Sequence, residues 1–543
     1  MKNNGAVFSI VVVGGGAASV AFLHHFVSLL PSERARPIRI SIIEDRRTIG
    51  PGLAYQEDMS VLLLNRPAKT MSASGTDLAT FRAWLEWKRV HFADVADSLS
   101  DDLSQCYLPR PLFGTYLNEF FSETVAAAKR KNVIVESLRT RVVKINKGEQ
   151  LRIVNQDGSE CIADVALLCV GNTPTVDHYG LSYTPNYIHS PYPVGSAVSV
   201  VESHQRVTIL GSSLTAVDVA LSLSAAGHTG SITMISRDGQ LPSVRGVNNQ
   251  SHTLAHLTQA NLQRCVKEKG SLRLKDLLRL LRKEMRSVGE DWRSAFTTDK
   301  GVSPGVALSR QIIASRSQAK WQAVLAATNA VIEECWHHLA EGDKDLWMRH
   351  FHRTWMTNRA PIPEVNALKL QSMINTGQLR VMSGIESVRP NRDGSFTVLR
   401  HGRPHEMVCD VVINATGACH HIKTKENCPL LWKLIEDGYA KPHRHGGVDV
   451  EFETASLVDA FGVPDRMLRV VGHVTSGTYY FTSSLEMISK KTLQVSRDIV
   501  KLMSAHKSPK VLSAMDAAST VDLPRSHMAY RDNAPGYRRV SVK

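Results

Sequence analysis

Three consecutive glycines, Gly14, Gly15 and Gly16, stand directly behind the apolar run from Phe8 to Val13 and directly ahead of Ala17, Ala18 and Ser19. A buried strand that becomes a helix without side chains in the way leaves backbone N–H groups and a positive helix end free to receive a pyrophosphate. The next strand, Pro37 to Ile43, ends on Glu44 with Asp45 beside it. A carboxylate at that tip accepts ribose hydroxyls and repels a 2′-phosphate, so this first site favours FAD or NAD over NADP. A second strand, Arg206 to Leu210, runs into Gly211, Ser212, Ser213, Leu214 and Thr215, and the strand after it, Ser231 to Ile235, ends on Ser236 and Arg237. A guanidinium pairs bidentately with a phosphate, so the second site prefers NADPH. Ser213 occupies the place of the fingerprint's second glycine, which weakens the expected phosphate contact and leaves the strand–turn–helix intact.

These turns need elements to hold them. Val20 to Leu30 continues the first turn as a helix, and the Pro31–Pro37 loop accounts for a longer spacing to Glu44 than the usual twenty or so residues. Lys2 and the uncharged run to Leu23 also resemble a secretory leader; three glycines inside the apolar stretch and the strand–helix–strand continuation favour the nucleotide reading. Two later strands, Ala163 to Gly171 and Cys409 to Gly417, each end in a small residue that lets the chain pass close to a cofactor or another backbone.

A chain of 543 residues holds two to four domains. No run of about twenty apolar residues occurs, so no membrane span is expected. The eight cysteines are scattered with no C-x-x-C pair, which suits a reducing cytoplasm. The formal charge of +14 points to anionic ligands, acidic partners or nonspecific attraction to nucleic acid, with ordinary surface chemistry as the plain alternative. No metal site is expected: Cys419, His420 and His421 form the densest ligand cluster and lack a matching second pair. No nucleophile elbow supports hydrolysis.

Several blocks carry a resemblance: Gly14 to Gly16; Glu44 followed by Gly50-Pro51-Gly52-Leu53-Ala54-Tyr55; Leu63-Leu64-Asn65-Arg66-Pro67 with Met71-Ser72-Ala73; Leu108-Pro109-Arg110 with Phe113-Gly114-Thr115-Tyr116; Ile235-Ser236-Arg237; and Ala415-Thr416-Gly417. The chain resembles flavoproteins with two dinucleotide-binding domains, the glutathione-reductase-like architecture of class B flavin monooxygenases, and more narrowly a bacterial FAD/NAD(P)-binding protein family. The resemblance implies an α/β fold of two Rossmann-like dinucleotide-binding domains with a helical insertion. The first domain takes residues 1–203 and 411–504, the second 204–246 and 355–410, the insertion 247–354, and a polar tail 505–543. It also implies that FAD meets Gly14, Gly16, Ala17, Ala18, Ser19, Glu44, Asp45, Asn65, Met71, Arg110, Gly171 and Gly417, with nicotinamide or substrate as alternatives for Asn65 and Arg110 and an ordinary salt bridge as the plain reading of Arg110. A late glycine-rich turn with Gly472, Gly477 and Thr478 closes over the flavin, with His473, Tyr479 and Tyr480 either beside the ring or in the core. NADPH meets Gly211, Ser212, Ser213, Leu214, Thr215, Ser236 and Arg237.

In the N-hydroxylating branch of class B enzymes an aspartate precedes Leu/Phe-Ala-Thr-Gly-Tyr. Here Asp410 and Ala415-Thr416-Gly417 match, while Asn414 and Ala418 depart. The expected reaction is oxygen transfer from a C4a-hydroperoxyflavin to the nitrogen of an amino acid or small amine, with molecular oxygen as co-substrate and no catalytic side chain identified. A flavin-dependent NAD(P)H:acceptor oxidoreductase and a non-catalytic nucleotide sensor remain as alternatives, as does a homo-oligomer. In the insertion, Leu274, Leu277, Leu278, Leu281 and Met285 recur at helical spacing among Arg273, Lys275, Arg279, Arg282, Lys283 and Arg286. A solvated helix packed by its leucines is the ordinary reading, and a face for a membrane or nucleic acid the other.

Overall fold

In the computed structural model, residues 7–31, 36–89, 106–246, 251–296, 301–317, 319–402, 406–422 and 428–505 are described. The polar tail read from the sequence, from residue 506 onward, lies outside them, as do Lys2 and residues 247–250 of the insertion.

The run Phe8 to Val13 forms β1, with Ile10, Val11 and Val12 buried, as a strand covered on both faces requires. It lies between β2 (Ile38–Ile43) and β7 (Val165–Leu168), parallel to both. The sheet continues through β3 (Val133–Leu138) on one side and β17 (Pro464–Val470) on the other, all parallel, and closes with the antiparallel β16 (Ser456–Val458). The helix Ala17–Leu29 seals one face with Val20, Phe22, Leu23 and Phe26. A three-stranded meander, β4 (Val142–Asn146), β5 (Leu151–Asn155) and β6 (Glu160–Ala163), precedes β7.

The second sheet repeats the plan. β9 (Val207–Leu210) lies between β10 (Ile232–Ser236) and β15 (Val411–Asn414), parallel to both, with β11 (Leu379–Ser383) and β8 (Tyr187–Ile188) at the edges. Its own meander, β12 (Ile385–Pro390), β13 (Phe396–Arg400) and β14 (Met407–Cys409), again precedes the closing strand.

Three boundaries differ from the sequence reading. Val411–Asn414, placed there with the first domain, belongs to the second sheet, because Val411 pairs with Val207 and Asn414 with Leu210. Tyr187–Ile188 joins the same sheet, and Val194 and Val198 pack into its core. The break drawn at 354/355 falls inside a helix, His352–Arg359.

Between the strands of the second sheet, helices run from Gln259 to Arg359 around a core of their own that includes Leu257, Leu281, Val324, Trp336, Trp347 and Trp355. The basic helix Leu274–Ser287 turns Leu274, Leu280, Leu281 and Met285 inward and leaves Lys275, Arg279, Arg282, Lys283 and Arg286 exposed. Its Glu284, fully buried, accepts the N–H groups of Ala255, His256 and Leu257 at 2.9, 2.6 and 2.8 Å, and so holds the preceding loop to the helix.

The two sheets and these helices lie within one compact unit, Met1–Val500. Two carboxylates tie the halves together. Asp58 accepts the N–H groups of Val194 and Gly195, both at 2.7 Å. Asp218, on the helix Leu214–Ala225, receives Arg110 Nη2 at 2.9 Å and Nη1 at 2.7 Å, while Arg110 Nε donates to the Leu63 carbonyl. The side chains of Arg110 and Asp218 are 15% and 6% exposed, so removing one partner strands a buried charge. Arg110→Met is expected to destabilise the protein by about 3–5 kcal/mol in urea unfolding. Arg110→Met/Asp218→Leu should recover part of that loss; an unchanged midpoint in the single variant would refute the role.

Candidate functional site

The first glycine turn is set by backbone contacts that admit no side chain. Gly14 has φ +98°, and a Cβ there would lie 2.3 Å from the Cys169 carbonyl oxygen at the end of β7. Its N–H donates to Ile43 O at 2.8 Å, and Ser19 Oγ donates back to Gly14 O. Gly15 donates its N–H to Glu44 Oε2 at 2.7 Å, and a Cβ on it would meet Ile49 and the Glu44 stem at 2.6 and 2.9 Å. Gly16 caps the helix Ala17–Leu29 with no side-chain hydrogen bond; the Ser19 N–H turns back to the Gly16 carbonyl at 3.0 Å, which leaves the N–H groups of Ala17 and Ala18 for a ligand. Gly50, whose N–H donates to Gly15 O at 2.7 Å, begins a second glycine loop, and a Cβ on Gly52 would lie 3.2 Å from Gly16 Cα.

The second turn reproduces the first. Gly211 has φ +121°, a Cβ there would lie 2.6 Å from the Ala415 carbonyl at the end of β15, and its N–H donates to Ile235 O at 2.7 Å. Ser213 caps the helix Leu214–Ala225 with φ −95° and ψ −163°, against −84° and −169° for Gly16, again without a side-chain bond. Its side chain is exposed, so the departure from glycine leaves the backbone cradle unchanged. Where the first site has Glu44, the second has Ser236, whose Oγ receives the Gly239 N–H and meets Ser212 Oγ, each at 2.9 Å. Ser236 therefore shapes its own turn, and the exposed Arg237 beside it faces a cavity of about 1440 Å³ between the second sheet and the insertion. Arg349, His352, Arg353 and Arg400 line the same cavity.

Gly171 and Gly417 follow the two closing strands at φ +73° and +90°, and each has open space where a Cβ would stand. Asn414 makes the second of these turns. Its Oδ1 accepts Thr416 Oγ1–H at 2.7 Å, and its Nδ2 donates to Val176 O at 2.9 Å and to Tyr187 OH at 3.1 Å.

The remaining residues divide. Gly472, at φ +111° with open space around it, starts a segment in which His473 Nε2, Ser476 Oγ and Thr478 Oγ1 are buried without protein partners. Buried polar atoms are nearly always paired, so these three fit a polar group such as the flavin edge. Gly477 lies close to protein instead: a Cβ there would meet His443 Nδ1 at 2.2 Å, and its carbonyl accepts Trp336 Nε1–H at 2.7 Å. Tyr479 is fully buried, its hydroxyl donating to the carbonyls of Glu451 and Phe452 and its ring centroid 3.7 Å from Lys491 Nζ. Tyr480 holds φ +66°, and its hydroxyl receives Trp347 Nε1–H at 2.8 Å and lies 3.0 Å from His352 Nδ1. Asp45 pairs outward with Arg141, Met71 is buried, and the Asn65 carbonyl accepts Arg245 Nε–H at 2.9 Å. Arg110 faces Asp218, as above. Among the described residues no group of three or more His, Cys, Asp or Glu is placed to hold a metal ion, and no helix is long and apolar enough to cross a membrane.

Residues 11–173 match the model of an FAD-NAD(P)-binding family. Uncharacterized proteins of Mycobacterium tuberculosis and Mycobacterium bovis are 24% identical over 277 residues, covering 43% of this chain and 52% of theirs. The chain thus spans about half the length of the curated relatives it matches. Among solved structures, L-lysine 6-monooxygenase from Pseudomonas syringae superposes with a TM-score of 0.54 at 14% identity, over 92% of this chain and 99% of that one. Ornithine N-hydroxylase from Kutzneria sp. 744, solved with reduced FAD, NADP+ and L-ornithine, gives 0.53 at 14% identity, over 92% and 100%. The fold is therefore shared with these two structures, with two Rossmann-like α/β units.

Sequence reasoning noted His420 only within the Cys419–His421 cluster and did not single out His352; the two come together with His473, the His420 ring centroid lying 5.1 Å from that of His473 and 6.4 Å from that of His352. Burial, reinforced by His420, draws His352 and His473 down from 6.5 to about 4. Both stay neutral in the folded protein while the unfolded chain takes up protons near 6.5. Stability is thus fully present above about pH 6.5 and is lost as pH falls toward 4. His473→Gln should flatten the dependence of the urea midpoint on pH between 6.5 and 4.5; a slope equal to that of the unmodified protein would contradict the assignment.

Proposed function

We propose that the protein is an FAD-dependent, NADPH-using monooxygenase that oxygenates the nitrogen of an amino acid or small amine. The observation that carries this reading is the duplication of one glycine turn in two sheets, the first tipped by Glu44 and the second by Arg237. The fold likeness to lysine and ornithine N-oxygenating enzymes supports the choice of reaction.

In the first site, the N–H groups at the start of the helix Ala17–Leu29 hold the pyrophosphate, and the glycines on both sides leave room for it. Glu44, fixed by the Gly15 N–H, accepts the ribose hydroxyls. Gly171 and Gly472 give the cofactor open backbone, and His473, Ser476 and Thr478 offer it buried polar atoms. FAD bound there supplies two-electron reduction and oxygen activation. The neutral His473 donates or accepts a hydrogen bond without bringing a charge to the ring. In the second site, the turn from Gly211 to Thr215 receives the dinucleotide phosphates and Arg237 reads the 2′-phosphate. The helices of the insertion, bound to the closing segment through Trp336 and Trp347, exclude water from the space above it.

The test is oxygen uptake by the FAD-loaded protein with NADPH, with and without L-lysine, L-ornithine and small diamines, together with detection of a hydroxylamine product. Uptake without any hydroxylamine, combined with rapid anaerobic reduction of an artificial acceptor, would replace this reading by that of an NAD(P)H:acceptor oxidoreductase. Loss of a charge-assisted contact by Arg237→Ala should lower the NADPH-over-NADH preference in flavin reduction by about tenfold to a hundredfold. An unaltered preference would remove Arg237 from the second site.

A further inference from the structure

Three guanidiniums meet at the junction of the Asn65–Arg66 turn, the strap 243–246 and the insertion. The strap is held firmly: Arg245 N–H donates to Ile362 O at 2.8 Å, Gly246 N–H to Gln322 Oε1 at 2.9 Å, and Gln322 Nε2 to Val244 O at 2.8 Å. Two of the three charges are met by a carboxylate or by several protein acceptors. Arg66 Nη1 pairs with Glu486 Oε2 at 2.8 Å, and that oxygen also accepts Asn329 Nδ2–H at 2.8 Å. Arg359 donates to Leu325 O, to Asn329 Oδ1, and to Thr328 Oγ1 at 2.8 Å, and its Nε is buried without a partner.

Arg245 is different. Its Nε–H reaches the Asn65 carbonyl, and among the described residues no carboxylate pairs with it. Burial draws its pKa down to about 10, with the Tyr107 phenol opposing the shift and Arg66 adding to it. It remains a cation at neutral pH, half-buried, and among the described residues neither Nη group has a protein acceptor. A half-buried cation with no carboxylate partner is open to a counter-charge, and the planar fork of a guanidinium matches an oxyanion. The site borders Asn65 and, through Glu486, the helix that follows the Gly472–Tyr480 segment.

We propose that Arg245, with Arg66 and Tyr107 beside it, is an oxyanion subsite that captures an acidic group of the substrate, a carboxylate or a phosphate, so that the substrate is an acidic amine and not a plain one. The substrate role rests on the oxygenase reading above, whereas binding of an anion at Arg245 does not.

The experiment is a titration of the FAD-loaded full-length protein with succinate, inorganic phosphate and n-butylamine, followed by tryptophan fluorescence and thermal midpoint. Succinate or phosphate should saturate and raise the midpoint, the tighter of the two identifying carboxylate or phosphate, and n-butylamine should do neither. Arg245→Gln should weaken the anion at least tenfold, while Lys275→Gln, which removes the same charge from the exposed helix, should leave its affinity as it was. Equal affinity in Arg245→Gln and the unmodified protein overturns the proposal, as does equal weakening by Lys275→Gln. Should Arg245→Gln fail to fold, protection of Arg245 from phenylglyoxal by saturating succinate in the unmodified protein, read by peptide mass spectrometry, decides in its place, and absence of protection overturns it. None of these readouts uses NADPH or oxygen, so a failed oxygenase assay with intact anion binding strikes only the reaction, and the converse strikes only the subsite.

Discussion

The Cys169 carbonyl oxygen lies where a side chain on residue 14 would have to stand, and the rest of the first nucleotide half is arranged around that contact. β7 must come this close because Val13 and Leu168 are partners in parallel register at the ends of their strands. With a glycine at the crossing, β1 turns immediately into the helix Ala17–Leu29, and the helix start points along the sheet's carboxyl edge, where ligands of such sheets bind. The Ala415 carbonyl imposes the same condition on Gly211. One steric rule, met twice, thus produces two equivalent cradles, and the difference between them is left to the residues at the tips of β2 and β10.

The two cradles are useful together only if the halves hold a fixed relation, and that relation is polar. Arg110 and Asp218 form a buried pair across the junction, and Asp58 gathers two backbone N–H groups on the other side of it. Such pairs add little net stability compared with apolar packing, but a broken one is expensive, so they specify one arrangement against others. The insertion behaves otherwise. It has its own apolar core around Trp336, Trp347 and Trp355, and it meets the first half through directional bonds from Trp336 to Gly477 and from Trp347 to Tyr480.

Charge is distributed with the same economy. Most of the positive excess on the basic helix of the insertion faces solvent, where water screens it. Inside, the histidines near Gly472 are kept neutral by burial, and Arg66 and Arg359 are met by a carboxylate or by carbonyl and hydroxyl dipoles. Arg245, met by a single carbonyl and by no carboxylate among the described residues, differs in degree, which is why its surroundings carry information about a ligand.

The glycine turns, the strands that feed them and the opposite character of Glu44 and Arg237 were legible in the sequence, because a strand–turn–helix is a local structure and its requirement for small residues acts over a few positions. The helical insertion was legible for the same reason, from the spacing of Leu274, Leu277, Leu281 and Met285. The allotment of Val411–Asn414 to the second sheet was not, since strand partners some two hundred residues away leave no local trace in an apolar run. Nor were the use of Arg110 toward Asp218, the packing of Gly477 against the turn at His443, the meeting of His352, His420 and His473, or the isolation of Arg245. The sequence by itself determined two strand–glycine turn–helix cradles and the sign of charge at each; only the tertiary structure decided which polar groups are neutralised by protein and which are left without a protein partner among the described residues, because burial and pairing depend on segments that the chain brings together from far apart.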